Sequence, residues 1–68
     1  MTIDMMKRHC LLRINAQRNL VRKASTPTIA RSLAYDLRFM ADLFLELELI
    51  PQAVRDNAIA DADAAGKK

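Results

Sequence analysis

The chain has 68 residues, a formal net charge of +3, one cysteine, one glycine and two prolines. That length allows a single domain with a thin core, worth about 3–5 kcal/mol of net stability. One cysteine excludes an internal disulfide, and His9, Cys10 and scattered carboxylates do not make the four-ligand set of a structural zinc site, so no metal or other cofactor is expected. Association with another macromolecule is the remaining way to add stability.

Apolar residues make up 51% of the chain, which excludes general disorder. Leu, Ala, Arg, Met and Asp dominate, and this composition favours helix throughout. The apolar run Cys10-Leu11-Leu12 is cut by Arg13, too short for a secretory signal. The most apolar window, Phe39 to Ile50, carries Asp42, Glu46 and Glu48, so no integral membrane segment is expected and the expected location is cytoplasmic. Charge is uneven: residues 1–31 hold seven Lys/Arg and only Asp4, while residues 32–68 hold four Lys/Arg and seven Asp/Glu. A basic front and an acidic rear bear on partners and on how the halves dock.

The first predicted helix starts at Thr2 or Asp4 and runs to about residue 24. Ile3, Met6, Cys10, Ile14 and Val21 form its apolar seam, which Gln17 breaks. Leu11 and Leu20 flank the seam, and Met5 and Leu12 sit off it as exposed apolar spots. Thr26-Pro27 then supplies a helix start: a hydroxyl to cap a free N–H, and a proline where a missing N–H costs nothing. The residue before proline avoids the α region, so the first helix ends before Thr26. A connection this short favours antiparallel neighbours.

The second helix is predicted over 27–50. Ile29, Leu33, Leu37, Met40, Leu43, Phe44 and Leu47 recur at steps of three and four and make one broad apolar face. Pro51 breaks the pattern and opens a third, alanine-rich helix over about 51–64, with Gly66 as its stop and 65–68 as a flexible tail.

Catalytic chemistry has little support. His9 and Cys10 are adjacent, so on a helix they point about 100° apart and do not form a nucleophile–base pair. Cys10 reads as a small buried hydrophobe and His9 as a solvated side chain. The only glycine is Gly66, so no phosphate-cradling loop exists.

Two features point to binding. Arg8, Asn15, Arg18, Asn19 and Arg22 form a polar stripe on the first helix, suited to phosphates, base edges or an acidic protein surface. Its bland reading is a solvated helix face. The second feature is the apolar surplus on the second helix, where Met40, Leu43, Phe44, Leu45 and Leu47 exceed what one partner helix covers. Tyr35, between Arg31 and Arg38, reads either as an interface anchor or as a ring under arginine stems.

The sequence therefore predicts an all-α fold: an antiparallel helical hairpin (3–24 and 27–50) with a short C-terminal helix, completed by homodimerisation. The expected function is non-enzymatic: a small regulatory or inhibitory protein that binds a protein partner stoichiometrically. The competing expectation is a nucleic-acid-binding regulator that uses the basic first helix.

Overall fold

The computed structural model describes residues 2–66, which form three α-helices: α1 (Ile3–Lys23), α2 (Pro27–Glu46) and α3 (Gln52–Gly66). There is no strand among the described residues. Each helix touches both others, and the α2–α3 contact is the most extensive.

Two helix starts follow the sequence signals. Thr2 is the extended cap of α1, and its Oγ1 accepts from the Met5 N–H at 3.2 Å. Thr26 does the same for α2, accepting from the Ile29 N–H at 3.2 Å, with Pro27 at the first helical position. Asp4 in the first turn of α1 and Arg22 and Lys23 in its last turn complement the helix dipole.

The end of α2 departs from the expected boundary. The helix stops at Glu46, four residues before Ile50. Glu48 adopts a left-handed conformation with φ 60°. The Leu49 N–H donates to the Phe44 carbonyl at 2.9 Å and the Glu48 N–H to the Leu45 carbonyl at 2.9 Å. This is the Schellman geometry that usually takes glycine, and it satisfies carbonyls a helix end would otherwise strand. Ile50 precedes Pro51 and is steered from the α region, so the helix has to end before it. Ending early turns Ile50 into the core and packs Leu49 and Phe44 against it. That burial offsets the roughly 1–2 kcal/mol cost of a left-handed non-glycine residue.

Helix α3 begins after Pro51, whose carbonyl accepts from the N–H groups of Val54 (3.1 Å) and Arg55 (3.3 Å). It runs beyond the expected end: Ala65 is buried and Gly66 is the last helical residue. Lys67 and Lys68, the rest of the expected tail, lie outside the described residues.

The core is built from small side chains. Ala30, Ala34, Ala41, Ala58, Ala62 and Ala65 share it with Cys10, Ile14, Val21, Leu37 and Ile50. The sequence placed the buried face of α2 along Ile29, Leu33, Leu37, Met40, Leu43, Phe44 and Leu47. Of these only Leu37 is fully buried, and the buried stripe is Ala30, Ala34, Leu37 and Ala41. It is rotated roughly a quarter-turn from the expected one. The cause lies in α3, whose buried positions are Ala58, Ala62 and Ala65. Small side chains on both helices let their backbones approach closely, which favours a rotation of α2 that turns its alanines inward and its larger side chains to the flanks. On α1, Cys10, Ile14 and Val21 are buried as expected, whereas Ile3 and Met6 are exposed. Gln17 does not disrupt the seam, because its Nε2 donates to the Leu33 carbonyl of α2 at 3.1 Å.

Candidate protein-binding surface

Among the described residues, the large apolar side chains left exposed are Ile3, Met5, Met6, Leu12 and Leu20 on α1, Ile29, Tyr35, Phe39 and Leu43 on α2, and Leu47 at its cap. Of the five interface residues expected from sequence, Leu43 (38% exposed) and Leu47 (56%) lie on this surface. Met40, Phe44 and Leu45 are only partly exposed, because they pack against the alanine core. Their place is taken by Phe39, which is 68% exposed and which the sequence reading assigned no role. Phe39 belongs to a second apolar stripe on the same helix, which periodicity masks because the leucine stripe is the more hydrophobic. Tyr35 is exposed, with its neighbours directed elsewhere: Arg31 Nε donates to the Pro27 carbonyl at 3.4 Å, and Arg38 pairs with Asp63 of α3.

The basic stripe of α1 is divided. Arg18 Nε and Arg22 Nη2 both donate to Asp61 Oδ2 of α3, with the Arg18 and Asp61 side chains each 21% exposed. Arg8, Asn15 and Asn19 are exposed, and among the described residues no salt bridge involves Arg8. Two of the five residues of the expected nucleic-acid contact, Arg18 and Arg22, therefore fasten α3 to α1. On the far side of α3, Arg55 Nε donates to Asp42 Oδ1 at 2.9 Å and Nη1 to Asp56 Oδ1 at 3.1 Å. The hydrogen bond to Asp42, followed by that to Asp56, raises the Arg55 pKa above its already high ordinary value, so the guanidinium stays charged wherever the protein is folded.

The remaining polar groups do not converge. Cys10 is buried while His9, the next residue, is exposed. Among the described residues no three His, Cys, Asp or Glu side chains are grouped to hold a metal ion. An open notch of about 290 Å3 is lined by Lys7, Glu48, Leu49, Ile50 and Pro51, with one charge of each sign at its rim. No helix among the described residues is long and apolar enough to cross a membrane.

No protein-family model matches this chain, and neither does any curated protein or solved structure with which it was compared.

Proposed function

We propose that this chain is a small, non-enzymatic regulatory or inhibitory protein of the cytoplasm that acts by stoichiometric binding to a protein partner and that it is a homodimer. The observation that carries the reading is the inverted distribution of side chains: alanines fill the core, while Phe39, Leu43, Leu47, Leu12 and Leu20 lie outside. A large apolar side chain gains about 1.5–3 kcal/mol on full burial, so a surface this rich in them gains most when another protein covers it. Within the protomer, α1 and α2 are read as an antiparallel hairpin. Gln17 reaching Leu33, and Lys7 lining the notch with Glu48 to Pro51, support that direction.

The nucleic-acid alternative is disfavoured by the ion pairs of Arg18 and Arg22 with Asp61, which occupy two of the three arginines it needs. Size-exclusion chromatography with light scattering separates the readings. Leu43→Asp, at an exposed position, is expected to abolish association while leaving helical content unchanged. A wild-type complex with nucleic acid that weakens steeply between low and moderate salt would instead identify a phosphate-driven binder.

A further inference from the structure

The exposed side of the α1–α2 pair carries a pattern that fits a copy of itself. On α1, Met6, Arg13 and Leu20 are spaced i, i+7 and i+14; on α2, Ile29, Asp36 and Leu43 have the same spacing. All six side chains are exposed. Each row therefore runs apolar, charged, apolar along one line of its helix. The α1 row lies about 80° around the helix from the buried seam, on the side away from Arg18 and Arg22, which hold α3. The α2 row lies away from Arg38, which also holds α3 through Asp63. Both rows thus share the face opposite α3.

Their levels match as well. Gln17 meets Leu33, and Lys7 lies beside Glu48 to Pro51, so the helices run in opposite directions at this contact. Moving four residues back along α1 and three forward along α2 brings Arg13 and Asp36 to within about 2 Å of the same height. Met6 then lies level with Leu43, and Leu20 with Ile29. No salt bridge among the described residues involves Arg13 or Asp36.

We infer that this face is the contact surface between two copies of the chain, related by a two-fold axis parallel to the helices. The inference rests on the protein-binding reading above and names the occupant of its surface. A two-fold interface has to be complementary to itself. This axis lays each α1 row on the α2 row of the second copy, so Arg13 meets Asp36 twice, Met6 meets Leu43 and Leu20 meets Ile29. A two-fold axis across the helices would set Arg13 against Arg13 and Asp36 against Asp36, and like charges exclude it. The alternation of apolar, charged and apolar positions also fixes the register, because a slip of seven residues, about two turns, places a charge on an apolar side chain.

The test is a charge-reversal cycle read by light scattering at matched protein concentration, with circular dichroism confirming that helical content is unchanged. The wild-type chain is expected to be a dimer. Arg13→Asp and Asp36→Arg should each weaken it by about tenfold or more, because each creates two like-charge contacts. The double variant Arg13→Asp with Asp36→Arg should recover most of the lost affinity. A dimer indifferent to either single reversal, or one that the double variant fails to restore, would overturn this interface while leaving self-association standing. A wild-type chain that stays monomeric would overturn both the interface and the homodimer reading.

Discussion

Asp61 on α3 accepts from Arg18 on α1, 43 residues away in sequence, and this ion pair joins the basic front of the chain to its acidic rear. Arg22 adds a second donor to the same carboxylate oxygen at 3.0 Å. With both Arg18 and Asp61 largely shielded from solvent, the pair is screened less than a surface bridge. Asp61→Ala should cost about 1–2 kcal/mol in urea unfolding, since it strands a partly buried guanidinium. The same variant frees Arg18 and Arg22, so its affinity for nucleic acid at low salt should rise. A variant as stable as the wild type would show that the alanine contacts alone seat α3.

Glu48 sits in the left-handed region, where a side chain is a liability. Glu48→Gly should stabilise the protein by about 0.5–1 kcal/mol, after allowance for glycine's greater freedom in the unfolded chain. For a domain of this size that corresponds to a rise of roughly 4 °C in Tm. A lower Tm would mean that the Glu48 side chain makes a contact worth more than the strain it causes.

The sequence revealed the elements more fully than their orientation. Thr2, Thr26, Pro27 and Pro51 act through local chemistry, which a single sequence displays, and the helices start where those residues place them. The end of α2 was hidden because its terminator is Glu48, a residue type that carries no left-handed signal. The buried face was hidden for a different reason. Periodicity ranks faces by hydrophobicity, and on α2 the leucine face outranks the alanine face. Burial depends on the neighbouring helix: α3 buries Ala58, Ala62 and Ala65, and small side chains on both helices allow the close approach that favours the alanine stripe of α2. Likewise, the docking of basic front on acidic rear was foreseeable from charge, but the particular pairing of Arg18 and Arg22 with Asp61 depends on where α3 lies. Of the expected interface, Leu43 and Leu47 lie at the surface, while Met40, Phe44 and Leu45 are half withdrawn into the core.

The alanine contact makes an unusual mutational signature. Ala41 is fully buried, so Ala41→Leu should destabilise the fold by about 1–3 kcal/mol through overpacking of the core. Leu47→Ala, at a half-exposed position, should change stability by less than about 0.5 kcal/mol when measured at low protein concentration. Thermal unfolding of the two variants checks the order, and a larger loss for Leu47→Ala would place the core on the leucine face after all.

Cys10 is a packing residue, 6% exposed and seated with Ile14 in the core. Cys10→Ala should keep binding activity and cost on the order of 1 kcal/mol, whereas Cys10→Ser should cost more by burying a hydroxyl. In the native protein the thiol should react slowly with a disulfide reagent and rapidly in denaturant. Rapid native-state labelling, or loss of binding by a folded Cys10→Ala protein, would assign the thiol a role beyond packing.

The central claim is that the apolar side chains left outside the alanine core form an interface. Sedimentation equilibrium of the wild-type chain over roughly three decades of concentration tests it most directly. The expected result is a reversible rise from one to two chain masses, lost in Leu43→Asp. A single chain mass at every concentration, with the same result for Leu43→Asp, would contradict self-association and leave Phe39, Leu43 and Leu47 as solvent-exposed side chains of a monomer.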